Sequence, residues 1–477
     1  MAVSTQPAQA ARAARSRWLA LAVLCGGMLM IILDGTIVSV ALPAIQEDLG
    51  FTPAGLAWTV NAYLVPLGGL LLLAGRLGDM IGRRRMLVTG LTLFVLASLL
   101  CGLAVGPGML IGARFVQGVA AAMASAVVLG MLVELFPEPV ERAKAMGVYS
   151  FVGAAGASAG VILGGLLTQT VGWRWIFLVN VPIGVVAVVL AMWVLQRDGA
   201  ARTGGRPDVL GGALVTAGLV LAVYTIVDES VLELRAVTGM LAVLLLAGFV
   251  LRQRRIAEPL VDLSIFRSRG VSGGNVVQLL FVAGMMGFQF TAALFLQLAL
   301  GFTPGQAGLA LLPVPVVIAV VSIGLAGRLI GRFGAYRVLI VGEAVLVLGL
   351  GLLAFGPSTS GYALGVLPSM ILLGVGGGLT LPAVTTVMMA DATPTDAGLA
   401  SGLANTSQQI GAALGIAALA AIASARTEGL RAGGIAELPA LAAGFQLAFA
   451  TSTVLVLASA ALTVAVLRRS EERAGEL

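Results

Sequence analysis

Three charged residues stand in stretches otherwise built almost wholly of apolar and small residues. Asp34 interrupts the run from Leu19 to Val40, Arg114 the run from Met109 to Leu132, and Glu343 the run from Val338 to Phe355. A charge held in the middle of a membrane costs about 2.5–3.5 kcal/mol on insertion scales, so each residue points to a watery path or a partner. Asp34, between Leu33 and Gly35, is the best candidate for a site, because a bound proton or a cationic ligand removes that cost. The alternative is a structural carboxylate pinned to a neighbouring helix end. Arg114 keeps its charge and needs a carboxylate or carbonyl partner. It either tunes the proton affinity of a nearby acid or clamps two helices together. Glu343 lies about 10 Å of helix from Arg337, and it either reaches a cytoplasmic arginine or takes a part in transport, the arginine being the expected outcome. Asn61, Gln117, Gln278, Gln289, Gln297, Asn405 and Gln409 add polar groups to apolar stretches, either lining a cavity or joining helices.

The rest of the composition narrows the chemistry. Of 477 residues, 59% are hydrophobic and 10% charged, and the mean hydropathy is +1.04. A soluble enzyme, a disordered chain and a secreted disulfide scaffold are all excluded. Histidine is absent, so there is no histidine relay and no histidine metal site, and proton chemistry near neutral pH falls to carboxylates. Cys25 and Cys101, the two cysteines, give no metal spacing and read as buried thiols. No metal or cofactor is expected. A nucleotide-binding Gly-Lys-Ser/Thr loop is missing, which argues against ATP as the driving force. The net charge of +6 suits loops on an anionic membrane face better than nucleic acid.

Fourteen helical spans can be drawn, starting at 18–43 and ending at 441–467. Segments 1–17 and 468–477 form tails, 18–195 a six-helix bundle, 196–270 an inserted helix pair with its flanking loops, and 271–467 a second six-helix bundle. The basic residues test this layout. With the N-terminus in the cytoplasm, 23 of the 28 fall in cytoplasmic segments. Four (Arg174, Arg235, Arg426, Arg431) fall outside, and Arg114 lies within a span. That bias supports an even number of spans with both termini cytoplasmic. The cytoplasmic loop 389–396 breaks the pattern, with Asp391 and Asp396 and no basic residue. Asp228, Glu229 and Glu233 fall in an outer loop and read as solvated.

One loop is repeated. Gly75-Arg76-Leu77-Gly78-Asp79-Met80-Ile81-Gly82-Arg83-Arg84-Arg85 aligns with Gly327-Arg328-Leu329-Ile330-Gly331-Arg332-Phe333-Gly334-Ala335-Tyr336-Arg337, with five of eleven positions identical. Two similar halves of a membrane protein suggest a transporter built from repeated bundles.

Several segments carry a family resemblance. They include Leu33-Asp34-Gly35-Thr36-Ile37-Val38-Ser39-Val40-Ala41-Leu42-Pro43, the Gly75–Arg85 loop, and Leu110-Ile111-Gly112-Ala113-Arg114-Phe115-Val116-Gln117-Gly118. Gly153, Gly156, Gly160, Gly164 and Gly165 form a groove on one face of the fifth helix, followed by Trp173-Arg174-Trp175-Ile176-Phe177-Leu178-Val179-Asn180-Val181-Pro182. A last segment runs Ala400-Ser401-Gly402-Leu403-Ala404-Asn405-Thr406-Ser407-Gln408-Gln409-Ile410-Gly411. Together they resemble the major facilitator superfamily, and within it the 14-helix drug:proton antiporters. Ser39 replaces the family's usual asparagine, and Ala157 and Val161 stand where its fifth helix normally has prolines.

The resemblance implies an all-α integral membrane fold and proton-coupled efflux of amphipathic drugs or antibiotics by alternating access. It also implies a bacterial inner membrane, a protein that works as a monomer, and lipophilic small molecules, protons and lipid as its partners. By the same resemblance, Asp34 and Arg114 couple protons to substrate. Gly75, Asp79, Gly82 and Arg83 belong to a cytoplasmic latch, with Glu134 as the acidic partner of Arg83. Gly331 replaces Asp79 in the repeat copy, so the second half is expected to lack a latch. Asn61, Gln117, Gln289 and Asn405 are the polar cavity candidates. Arg174 is expected to cap a helix end or the outer gate. The other reading is a same-fold exporter or uniporter of a dedicated metabolite, such as a self-made antibiotic.

Overall fold

A computed structural model describes residues 6–52, 55–195, 207–227, 232–355, 361–390 and 397–467. Among these, fourteen helices are long and apolar enough to cross a membrane. The first six are α1 (Arg17–Leu49), α2 (Gly55–Ile81), α3 (Arg83–Gly102), α4 (Pro107–Leu135), α5 (Lys144–Thr170) and α6 (Trp175–Val194). A pair follows, α7 (Val209–Val227) and α8 (Leu234–Arg255). The last six are α9 (Arg269–Ala299), α10 (Pro304–Phe333), α11 (Ala335–Phe355), α12 (Tyr362–Met389), α13 (Leu399–Ala432) and α14 (Glu437–Val466). Successive spans alternate in direction, so the loop after α2 and the loop after α10 lie on one face, here called the arginine-rich face. Arg197, Arg202, Arg206, Asp228, Glu229, Asp391, Asp396 and the tail 468–477 lie outside the described residues.

Two helices differ from the sequence reading. The sequence places the end of the first span at Pro43, yet α1 runs through it to Leu49. Proline removes one backbone donor and bends a helix, but a long apolar helix packed on its neighbours continues past it. The span near 304 is a chain of short pieces. It opens on Thr303, whose side chain and that of Gln306 cap each other's backbone, with Pro304 in the first turn. Pro313 restarts the helix, and Ser322–Ala326 forms a π-turn.

In the first bundle α1 packs on α5 and α6, and α4 on α2 and α3. In the second, α9, α11 and α13 pack on α14, and α12 packs on α10 and α11. The bundles meet where α2 lies along α13 and α5 along α10. At the arginine-poor end two hydrogen bonds join them: Gln297 Nε2 donates to the Val40 carbonyl (3.0 Å), and the Gly305 N–H to Gln169 Oε1 (3.2 Å). The pair α7–α8 leans on α2 and α13.

The repeated loop is repeated in geometry. Gly82 (φ 109°) ends α2 and donates its N–H to the Gly78 carbonyl. Gly334 (φ 84°), its counterpart, ends α10 and donates to the Ile330 carbonyl. Side chains rarely adopt such positive φ, which accounts for glycine at both sites.

Candidate functional site

Small residues set the register of the first bundle. Gly153, Gly156, Gly160 and Gly164 all face α1. A Cβ at Gly156 would stand 3.0 Å from Leu29, one at Gly160 would run into the Thr36 side chain, and one at Gly164 into the Ile37 carbonyl. The groove read from the sequence is therefore the seat of α1 on both sides of Asp34. On the other side of the bundle Gly118 packs on the Tyr63 carbonyl and Pro66, drawing α4 against α2. The turn into α6 is pinned as well. Arg174 Nη1 (2.6 Å) and Trp173 Nε1 (3.1 Å) donate to Asp48 at the end of α1, and Arg174 Nη2 donates to the Ala104 carbonyl (3.2 Å). Arg174 thus ties α1, the end of α3 and the start of α6 together.

These constraints bring five helices to one buried point. Arg114 Nη1 donates to Asp34 Oδ2 at 2.5 Å, and both side chains have no solvent exposure. Asp34 Oδ1 accepts from Gln117 Nε2 (2.9 Å) and from Asn180 Nδ2 on α6 (2.8 Å). Arg114 Nε donates to the Thr59 carbonyl on α2 (2.9 Å), and Nη1 also donates to Gln117 Oε1 (2.7 Å). Gln117 gives a further hydrogen bond to Ser98 Oγ on α3 (2.7 Å). The guanidinium lies over the Tyr63 ring, 4.3 Å from its centroid, with the Phe177 ring at 5.6 Å. Stacking of this kind stabilises a desolvated cation where acceptors run short. Arg114 Nη2 and Asn180 Oδ1 are left without hydrogen-bond partners.

A buried pair of this kind is weak evidence for stability. Desolvation offsets most of its attraction, but removing one partner leaves an uncompensated charge and costs about 3–5 kcal/mol. The network is therefore sensitive to a single charge. A proton on Asp34 cancels the anion and leaves Arg114 with only neutral acceptors and ring faces.

The other candidates fall elsewhere. Asn61 is fully buried on α2, and neither atom of its amide finds a partner. Gln289 and Asn405 are half-buried on α9 and α13 and take no part in the network. Asp79, Arg83 and Glu134 come together near the arginine-rich face, at 2.8 Å for Arg83–Asp79 and 3.4 Å for Arg83–Glu134. Gly75 precedes Arg76, which pairs with Glu258 beyond the inserted helices at 2.9 Å. Glu343 corrects an expectation. It does not reach Arg337 but turns into the second bundle, where Oε1 lies 2.5 Å from Ser459 Oγ. Six residues along a helix advance the direction by about 600°, so the two side chains leave α11 on different faces.

Thr59, Tyr63, Ser98 and Asn180 were missed as site residues. The first three are ordinary types for apolar helices and carry no signal in one sequence. Asn180 did carry one: it is a buried amide at the head of α6, seven residues after Trp173 in a segment already singled out.

Comparison with known proteins agrees with this architecture. Residues 24–416 match the family model of the Major Facilitator Superfamily. The chain is 39% identical over 420 residues to the puromycin resistance protein pur8 of Streptomyces alboniger, covering 86% of this chain and 82% of that one. It is 36% identical over 452 residues to the cephamycin export protein CmcT of Amycolatopsis lactamdurans, covering 93% and 91%. It is 34% identical over 403 residues to the multidrug resistance protein Stp of Mycobacterium tuberculosis, covering 84% and 74%. Among solved structures, a bacterial homologue of the human lysosomal transporter Spinster, inward-facing and unoccupied, superposes with a TM-score of 0.68 at 17% identity, covering 95% of this chain and 97% of that one. The nucleoside transporter NupG gives 0.64 at 12% identity, covering 93% and 98%. This chain is a multi-pass membrane transporter, not an enzyme, and it belongs to the major facilitator superfamily, among the drug and antibiotic efflux proteins.

Proposed function

We propose that this protein exports amphipathic drugs or antibiotics in exchange for protons, with Asp34 as the proton-carrying group. The observation that carries this reading is the sealed Asp34–Arg114 pair at the junction of five helices. Neither side chain meets solvent, so proton exchange at Asp34 requires the helices around it to move. The arginine-rich face is cytoplasmic, both termini lie on that side of a bacterial inner membrane, and the protein works as a monomer. The bundles 18–195 and 271–467 rock about a central site, while 196–270 rides with them.

The coupling follows from the charges. A proton arriving from outside neutralises Asp34 and breaks its attraction to Arg114, which biases the first bundle towards a second arrangement. Drug binding favours release of that proton, because both ligands act on one two-state element. One net charge moving inward across 100 mV supplies about 2.3 kcal/mol. Asp79, Arg83 and Glu134 latch one of the two states from the cytoplasmic side.

The test is proton movement in proteoliposomes with an imposed pH gradient, using puromycin and ethidium as probes. Drug-dependent proton movement in the wild type that is lost in Asp34→Asn is the expected result. Drug flux without proton movement in the wild type overturns antiport. A second reading is favoured by the names of the relatives, which include a cephamycin export protein. It is dedicated export of one self-made antibiotic, and it predicts flux of a single compound and none of ethidium.

A further inference from the structure

A second buried carboxyl lies in the other bundle, and the proposed cycle makes no use of it. Glu343 stands eight residues, about 12 Å of helix, beyond the start of α11, and its side chain is fully buried. Ser459 Oγ on α14 lies 2.5 Å from Glu343 Oε1 and 3.0 Å from the Val277 carbonyl on α9. Glu343 Oε2 has no hydrogen-bond partner. The Thr463 hydroxyl faces the carboxyl without closing a bond. On α12, Thr380 Oγ1 is a further buried atom without a partner, and it packs against Gly342.

No cation balances this acid among the described residues. Over its described length α12 carries no charged residue, and its one titratable group, Tyr362, is at the opposite end. The charge on α14, Glu437, is 22 residues before Ser459, also at the opposite end. Arg269 on α9, Arg328 and Arg332 on α10, and Tyr336 and Arg337 on α11 all sit at the arginine-rich end. None of these arginines forms an ion pair with the carboxyl.

The hydrogen atoms then decide the protonation state. The Ser459 hydroxyl has one proton and two acceptors in range. With Glu343 ionised, that proton goes to the carboxylate. A full negative charge is then buried against neutral hydroxyls alone, an arrangement proteins avoid by neutralising the group. With Glu343 neutral, its own proton is donated to Ser459 Oγ, and the Ser459 hydroxyl donates to the Val277 carbonyl. Both short contacts are then hydrogen bonds and no charge is buried.

We infer that Glu343 is a second proton-carrying site: it holds a proton in this conformation, donated to Ser459, and releases it when the second bundle rearranges and water reaches Oε2. This rests on the reading of the chain as a proton-coupled exporter. It adds a titrating group to the bundle that lacks a buried arginine partner.

Infrared difference spectroscopy on the full-length protein in lipid vesicles tests this without any drug. At neutral pH the wild type should show the carbonyl stretch of a protonated carboxyl. Glu343→Gln should remove that band, Ser459→Ala should shift it through loss of the hydrogen bond, and Asp34→Asn should leave it in place. In proteoliposomes, Glu343→Gln should still move ethidium but with fewer protons per ethidium than the wild type. A wild-type spectrum indistinguishable from that of Glu343→Gln overturns the proposal, as does a band that Ser459→Ala fails to shift. An unchanged proton count in Glu343→Gln reduces the residue to a structural hydrogen bond and overturns it too. Failure of Asp34→Asn to alter proton movement strikes the proposed role of Asp34 alone, because the Glu343 band does not depend on it.

Discussion

Asp34 and Glu343 are both fully buried acids on membrane helices of one chain, and their surroundings are opposite. Asp34 receives three donors, one of them a guanidinium, from two other helices. Glu343 meets the Ser459 hydroxyl, with that of Thr463 facing it, and no cation among the described residues. The same side-chain chemistry is therefore held as half of an ion pair in one bundle and as a neutral acid in the other. Partners decide this, not depth. A carboxyl with an arginine beside it keeps its charge and becomes a lever on the helices that hold the arginine. A carboxyl without one keeps its proton.

Stability measurements can break this contrast. Arg114→Met takes the guanidinium away from a buried carboxylate, which then stands without a cation or must take up a proton, and should lower stability by about 3–5 kcal/mol. Pairing it with Asp34→Leu should recover most of that loss. Glu343→Gln, which replaces one neutral hydrogen-bonding group by another, should cost less than about 1.5 kcal/mol, the usual worth of one hydrogen bond. Thermal unfolding in detergent measures all three variants. A Glu343→Gln loss as large as that of Arg114→Met would mean that Glu343 is an ionised, partnered group, and the contrast would fail.

Smaller changes sharpen it. Asn180→Ala removes a donor to a charged acceptor and should cost about 1.5–3 kcal/mol, with a matching fall in drug-driven proton movement in proteoliposomes. Gly164→Val forces α5 away from the Ile37 carbonyl, an overpacking worth about 1–3 kcal/mol. Gly112→Ala, where an added Cβ meets nothing within 4 Å, serves as its control in the same unfolding assay.

The smallest effect concerns Asp208, just ahead of α7. Burial pushes its carboxyl up. The hydrogen bonds from Arg252, from the Gly211 N–H and from Gln253 outweigh burial and hold it below the usual aspartate range. A carboxyl lowered on folding stabilises the fold above its unfolded value, about 3.9, and that contribution fades as the pH falls through the lowered value. The melting temperature of the wild type should therefore drop in acid more steeply than that of Asp208→Asn. Parallel curves would remove Asp208 from the account.

Much of this was legible in the sequence, and the gaps have physical reasons. Apolar runs broken by Gly, Pro and charges are enough to draw fourteen spans, because a bilayer sets their length. The first helix runs six residues past the span drawn for it, since proline weakens a helix without always ending it. Asp34, Arg114 and Gln117 stood out as polar groups in apolar runs. Their meeting did not, because Asp34 and Arg114 are 80 residues apart and no local pattern records which helices are neighbours. The glycines of α5 signalled a groove but not its occupant. Glu343 was legible in part: helical phase alone separates it from Arg337, while Ser459, 116 residues away, had no signal.

The most direct test of the central claim is proton release on drug binding by the purified protein in weakly buffered detergent solution. Puromycin added to the wild type should acidify the solution, and Asp34→Asn should abolish most of that release while still binding the drug. Equal release from wild type and Asp34→Asn would contradict the account, because the proton exchanged for drug would then sit elsewhere.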